Sequence, residues 1–181
     1  MAHWFRRIFG KSSDATLVST DTSPGGVYSH LRQQALSLRR ADSGISDPPP
    51  DAPAWGALME SGYADATVTL FALIDGTTSL YISSGGGVIG GQGHQSVREA
   101  NADFIRTANQ FYQHLKPCQS FPIPATGQTI FYVLTDSGIL TGEGPDDDLG
   151  NGRHPLSPLF HAGHAVLTPL IQTSENAGAD A

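Results

Sequence analysis

Two short turns, each flanked by β-rich segments, limit what this chain can fold into more than any other feature. The first turn is Asp75-Gly76, a dipeptide that favours a tight β-hairpin, and the second is Asp136-Ser137-Gly138. Hairpins join antiparallel strands, so a purely parallel sheet is excluded. The segments that flank the two turns are predicted strands at residues 66–74, 79–83, 129–135 and 139–141. A further strand is predicted at residues 54–60.

A long amphipathic helix is predicted between the two hairpins, over residues 96–115. Ser96 and Glu99 match a capping box at its start, and Lys116-Pro117 supplies a cation and a helix-breaking residue at its end. Apolar residues recur every three or four positions, which predicts one buried stripe. The stripe is formed by Val97, Ala100, Phe104, Ile105, Ala108, Phe111, Tyr112 and Leu115.

Two further helices are predicted outside the hairpins. Residues 27–40 place apolar side chains on one side and end in two arginines, which suit a helix C-terminus. Ser157-Pro158 combines an N-cap serine with proline at the first helical position. That helix is expected to run to about Leu167 and to kink or end near Pro169.

The expected fold class is α+β, an antiparallel sheet of about five strands with a long central helix and a C-terminal helix. The expected order is (α)-β-β-β-α-β-β-α. Polar and proline-rich stretches divide the chain into a basic and aromatic tail with a linker, a short helix with a Pro-rich connector, one compact domain and a second tail. These parts are residues 1–26, 27–53, 54–172 and 173–181.

Charge is spread unevenly along the 181 residues. Residues 1–40 hold six basic and two acidic residues, a net charge of +4, whereas residues 41–181 hold four and fifteen, a net charge of −11. An acidic body argues against nucleic acid as the main partner.

The single cysteine, Cys118, excludes an intrachain disulfide and suits a reducing compartment. With no apolar run of membrane-spanning length and no recognisable signal peptide, we expect a cytoplasmic protein.

The first eleven residues combine basic and aromatic side chains. On a helix, Trp4, Phe5, Ile8 and Phe9 would share one face beside the arginines and lysine, which suggests docking to a membrane surface or a complex. The segment is too short to form a stable helix alone, and the simpler interpretation is a frayed terminus.

Six glycines lie within nine residues between the first hairpin and the central helix. Gly85, Gly86, Gly87, Gly90 and Gly91, with Arg153 and His154 as further ligands, form a candidate anion-binding site, because glycine lets backbone N–H groups approach an anion near a helix N-terminus. The alternative is a connection that needs positive φ at several positions. No Gly-Lys-Ser/Thr ending is present, which favours the structural alternative.

Three histidines form the one candidate metal cluster. His154, His161 and His164 are close in sequence, and the last two would share a helix face with aspartates upstream. The His-Glu-x-x-His pattern is absent, so we expect no metal and no cofactor. No serine or cysteine has a base at a recognisable spacing, and we expect no enzymatic activity.

The order of elements resembles a known architecture. Residues 54–171 resemble the roadblock/dynein-light-chain type of profilin-like fold in the hairpin at 66–83, the glycine-rich segment at 85–93 and the helix at 96–115. Members of that group are mostly non-enzymatic dimers that serve small GTPases or scaffold complexes. Residues 76–81 and 152–160 also resemble segments of small uncharacterised bacterial proteins, which implies no activity.

These features together favour a non-catalytic adaptor or regulatory protein of bacterial type. It would bind a protein partner, or a second copy of itself, through a sheet edge and the central helix. Two alternatives remain open: a small-molecule or anion-binding domain that uses the glycine-rich segment, and a metal-dependent enzyme that uses His154, His161 and His164.

Overall fold

The computed structural model describes residues 23–179. They contain five α-helices and seven strands. The helices are α1 (Pro24–Ser37), α2 (Arg40–Ser43), α3 (Gln95–Gln110), α4 (Asp146–Gly150) and α5 (Ser157–Ala179). The strands are β1 (Gly56–Gly62), β2 (Thr67–Leu73), β3 (Thr78–Ile82), β4 (Gly87–Ile89), β5 (Lys116–Cys118), β6 (Gln128–Thr135) and β7 (Gly138–Pro145). Short 3-10 turns at Gly91–Gly93 and Tyr112–His114 flank α3.

The strands form one seven-stranded antiparallel sheet in the order β4-β3-β2-β1-β6-β7-β5. Strand β1 is central, and it pairs over its whole length with β2 on one side and over most of its length with β6 on the other. The short strands β4 and β5 lie at opposite edges. Each of the five longer strands therefore pairs with a neighbour on both sides. Among the described strands, only β4 and β5 have an unpaired side.

Side chains alternate between the two faces of the sheet, and each face has its own core. On β1, Ala57 and Met59 contact the core under α3 and α5, whereas Leu58 and Glu60 point to the opposite face. The predicted helix stripe fits the first core, where Val97, Phe104, Ile105, Ala108 and Leu115 are buried. The sheet is thus a middle layer with helices on both sides.

The α+β class and the antiparallel sheet are confirmed, but the predicted strand count and order are wrong. The sheet has seven strands, because the glycine-rich segment contains β4 and the segment expected to be a connection contains β5. The observed order is α-α-β-β-β-β-α-β-β-β-α-α. Glycine and proline lowered the strand preference of both segments, while pairing with β3 and β7 fixes them as strands.

The boundary predicted at residue 53 does not separate two packed units. Helix α1 lies on the face opposite α3, where Tyr28, Ala35 and Leu36 are buried, and Ile45 of the following connector is buried with them. The short helix and the proline-rich connector are therefore part of the folded body.

Two predicted helix ends also need correction. The helix α3 begins at Gln95 after His94, so Ser96 is not the N-cap, and the Glu99 carboxylate accepts a hydrogen bond from the Gln95 side chain at 2.8 Å instead of closing a capping box. The helix α5 does not end near Pro169 but continues to Ala179.

The buried Asn101 amide, which donates to Thr77 O at 3.0 Å, was not predicted.

Within the described residues, no helix is both long enough and apolar enough to span a bilayer. The basic and aromatic segment containing Trp4, Phe5, Ile8 and Phe9 lies outside the described residues.

Candidate functional site

The glycine-rich segment folds into a turn and an edge strand. Gly85 and Gly86 have φ values of +119° and +84° and turn the chain from β3 into β4. The Gly85 N–H donates to Ile82 O at 3.0 Å, and the Ile82 N–H donates to Gly86 O at 3.3 Å. The backbone groups of this turn therefore bond to one another.

Two later glycines are needed because neighbouring groups approach closely. A Cβ atom at Gly87 would lie 2.2 Å from Leu80 O, and Gly87 also has a φ of +149°. A Cβ atom at Gly91 would lie 2.4 Å from Leu170 Cδ1 of α5. The contact at Gly87 is with backbone, and the contact at Gly91 could be relieved only by a shift of the buried Leu170 side chain, so packing accounts for both glycines.

Arg153 and His154 lie at the other end of the sheet. Arg153 pairs with Asp148 at 2.9 Å, and His154 Nδ1 accepts the Leu156 N–H at 3.2 Å. The His154 ring lies beside Gly144 of β7. Strands β7 and β4 are five strand spacings apart, roughly 24 Å. The glycines and these two side chains are thus not brought together around one anion.

The histidines of α5 lie against an aromatic ring. The Phe160 ring centroid is 4.3 Å from that of His164 and 5.9 Å from that of His161. Burial lowers the pKa of His164, and the charge of Asp146 opposes this shift only in part. Across residues 23–179, no three His, Cys, Asp or Glu side chains are grouped so as to hold a metal ion.

A groove of about 480 Å³ lies beside β5 and β7. Cys118 and Tyr132 line it, but burial raises the pKa of the Cys118 thiol, and the Tyr132 hydroxyl donates to Pro122 O at 2.8 Å. A protonated thiol is a poor nucleophile. The groove therefore has space for a ligand, but the Cys118 thiol is not an activated nucleophile toward it.

A buried ion pair attaches α1 to the centre of the sheet. Glu60 is fully buried, and its carboxylate accepts hydrogen bonds from Arg32 Nε at 2.8 and 3.1 Å and from Arg32 Nη2 at 2.7 Å. The Thr69 hydroxyl donates to the same carboxylate at 3.0 Å. This pair was not predicted, although a lone acidic residue in an apolar strand and an arginine within an apolar helix are a signal for it.

The two free edges of the sheet differ in what they offer. Pro117 is the middle residue of β5 and has no N–H, so it faces away from β7 and contributes no donor to the outer side. Lys116 adds a charge to this edge. A proline and a lysine are both features that prevent a further strand from pairing.

Strand β4 offers an unblocked edge. Because Ile82 and Gly86 are hydrogen bonded, the alternation of an antiparallel ladder makes Leu80 and Val88 the next bonded pair. The N–H and C=O groups of Gly87 and Ile89 therefore point away from β3. We call this outward backbone, with the exposed Ile89 side chain, the β4 edge.

Strand β4 and the segments that flank it in sequence carry no fixed charge, although the Arg98 guanidinium of α3 donates to Gln92 O at 2.7 Å. Residues 76–97 include no Asp, Glu, Lys or Arg. Ile89 is 47% exposed, and Val27 of α1, which is 46% exposed, borders a depression of about 230 Å³ with Tyr81 and Gly86. Proteins usually protect an edge strand with charge or proline, and β4 has neither.

Comparisons with protein-family models, with curated proteins and with solved structures find no match to this chain.

Proposed function

We propose that this protein is a non-catalytic adaptor or regulatory protein that binds a protein partner by accepting a β-strand at the β4 edge. One observation carries the proposal: two backbone N–H and two C=O groups face outward from an exposed strand that contains no proline and no charged residue. An extended segment that pairs with such an edge gains backbone hydrogen bonds and pockets for alternate side chains.

The rest of the fold supports this choice of surface. Helix α1 covers one face of the sheet, α3 and α5 cover the other, and Pro117 blocks the opposite edge. Backbone pairing is thus available at only one place in the described sheet.

The proposed role is in the class that the roadblock-like resemblance implies, namely proteins that assemble with others instead of catalysing a reaction. The single cysteine and the acidic body support a cytoplasmic location as part of the same proposal. The groove beside β5 supports a ligand site less well, because it presents no buried polar atom without a partner.

Site-specific photo-crosslinking in the cells that produce the protein tests the proposal. A photo-reactive amino acid is placed at position 89, and a matched one at position 123, an isoleucine of similar exposure that lies with Phe121 beside α1 instead of on β4. We expect a discrete cross-linked product from position 89 that position 123 does not give. Equal or absent cross-linking at the two positions would overturn the proposal.

A further inference from the structure

We infer that the groove beside β5 and β7 binds a small zwitterion with an apolar body, namely a free amino acid with a large apolar side chain. The groove has a volume of about 480 Å³, and sites for small ligands usually measure about 300–1,000 Å³. It lies at the edge of the sheet opposite β4. The inference therefore goes beyond the proposed function and does not depend on it.

The floor of the groove is apolar and held in place. Ile130 and Tyr132 of β6 are buried there, and Leu156 is buried beside them. The Tyr132 hydroxyl donates to Pro122 O at 2.8 Å, and its ring packs edge-on against Phe121 with the centroids 5.5 Å apart. A floor of this kind accommodates the apolar body of a ligand.

The rim of the groove holds a fixed hydrogen-bond donor. His154 Nδ1 accepts the Leu156 N–H at 3.2 Å, so the neutral ring carries its proton on Nε2. The ring is seated on Gly144, where a Cβ atom would lie 3.2 Å from Nε2. Because a protonated imidazole also donates from Nε2, this nitrogen is a donor in both protonation states.

Two opposite charges line the same groove. Lys116 of β5 lies across from Thr141 of β7, and Glu143, two residues further along β7, points to the same face of the sheet. Such diagonal neighbours are about 7–8 Å apart. Both side chains are exposed, and among residues 23–179 neither makes an ion pair or a hydrogen bond. A ligand would therefore replace water at the rim.

The chemistry of these groups selects the ligand. The Lys116 ammonium and His154 Nε2 only donate, which suits a carboxylate, whereas the Glu143 carboxylate only accepts, which suits an ammonium group. The charges of Lys116 and Glu143 cancel, and residues 41–181 carry a net charge of −11, so a net anion gains little here. A zwitterion is neutral as a whole and complements both charges.

Calorimetric titration of the full chain with four probes tests the inference. L-Phenylalanine carries all three groups, whereas 3-phenylpropionate lacks the ammonium, phenethylamine lacks the carboxylate and glycine lacks the apolar body. We expect L-phenylalanine to bind most tightly. Each of the other three should bind roughly three- to tenfold more weakly, because contacts with exposed charges contribute modestly.

Variants of the two charged residues assign each contact. Glu143→Gln should weaken binding of L-phenylalanine but not of 3-phenylpropionate. Lys116→Met should weaken binding of both carboxylates and spare phenethylamine. Glu99→Gln, which changes an exposed glutamate on α3, is the control and should bind like the wild type. Since the side chains of Lys116 and Glu143 have no partner among the described residues, neither variant should change the melting temperature.

Three results would overturn the inference. One is absence of binding at up to about 10 mM L-phenylalanine. Another is equal affinity for L-phenylalanine and 3-phenylpropionate, which would indicate a site for organic anions. The third is unchanged binding in both Lys116→Met and Glu143→Gln, which would place the ligand elsewhere. None of them affects the β4 proposal, because photo-crosslinking at position 89 examines the opposite edge of the sheet.

Discussion

Replacing Arg32 with methionine should destabilise the protein strongly, because it removes the cation but keeps an apolar side chain in the same place. The Glu60 carboxylate is fully buried at the centre of the sheet and accepts three contacts from this guanidinium, at 2.7 to 3.1 Å. Among the described residues, only the Thr69 hydroxyl would still donate to it. The variant thus leaves a carboxylate in the core without its counter-charge.

The size of the effect follows from burial. Removing one partner of a buried ion pair costs about 3–5 kcal/mol, chiefly because the other charge stays desolvated. Arg32 itself retains 12% side-chain exposure, so some water reaches the vacated space, and we expect about 3 kcal/mol. The carbonyls of Phe121 and Pro122 also lose a donor, which adds to the loss.

Urea unfolding followed by far-UV circular dichroism at pH 7 measures the change. The double variant Arg32→Met with Glu60→Leu should be more stable than Arg32→Met alone, because it removes both charges from the core. Arg40→Met is the matched control: the partners of Arg40, Asp47 and Asp136, are 86% and 53% exposed, so the loss should be much smaller than that of Arg32→Met.

A loss below about 1 kcal/mol for Arg32→Met would refute the reasoning, since it would mean that the carboxylate is hydrated or neutral. Additive losses in the double variant would refute it independently, because residues that interact directly do not contribute additively.

Three further predictions concern the core, the glycines and pH. Phe104→Ala should cost about 3–5 kcal/mol in urea unfolding, and Phe111→Ala clearly less, because only the first ring is fully buried; equal losses would contradict the packing. Gly91→Ala should lower the melting temperature, whereas Gly93→Ala, which meets open space, should leave it unchanged; the reverse order would be a failure. Burial lowers the pKa of His164, so the unfolded state binds more protons below about pH 6.5, and stability should fall as the solution is acidified through that range. In His164→Gln this fall should be shallower, and an unchanged pH profile would contradict the assignment.

Local signals predicted the central parts of the fold. Asp75-Gly76 forms the turn between β2 and β3, where the Asp75 side chain accepts the Thr77 N–H at 2.9 Å. The helical stripe placed Phe104 and Ala108 in the core. In both cases the deciding interactions lie within a few residues of each other, so the sequence pattern contains them.

Long-range pairing was not predictable in the same way. β4 is a strand because β3 binds it, although Gly85, Gly86 and Gly87 have little strand preference of their own. Helix α1 belongs to the body because Arg32 reaches Glu60, which is 28 positions away in the chain. Each outcome depends on a partner that no local window contains.

The same limitation applies to the candidate site. The sequence allows two interpretations of the glycines, a backbone device and an anion cradle, and both assume that the segment acts alone. Paired with β3, it becomes an edge whose outward groups are set by the bonded pair Ile82–Gly86. The absence of charge over residues 76–97 was visible in the sequence, but it acquired meaning only when the segment proved to be an edge strand.

The helices that stabilise the fold cover both faces of the sheet, so they also determine where another chain could bind to it. The Arg32–Glu60 pair holds α1 on one face of the sheet, and the rings and aliphatic side chains of α3 and α5 close the other. A sheet that is covered on both faces can extend only at its edges. Pro117 removes the donor from one edge, whereas Gly87 and Ile89 keep both donors and acceptors at the other. The proposed association through β4 would therefore leave both cores intact, and variants of the β4 edge should change assembly without changing the free energy of unfolding of the single chain.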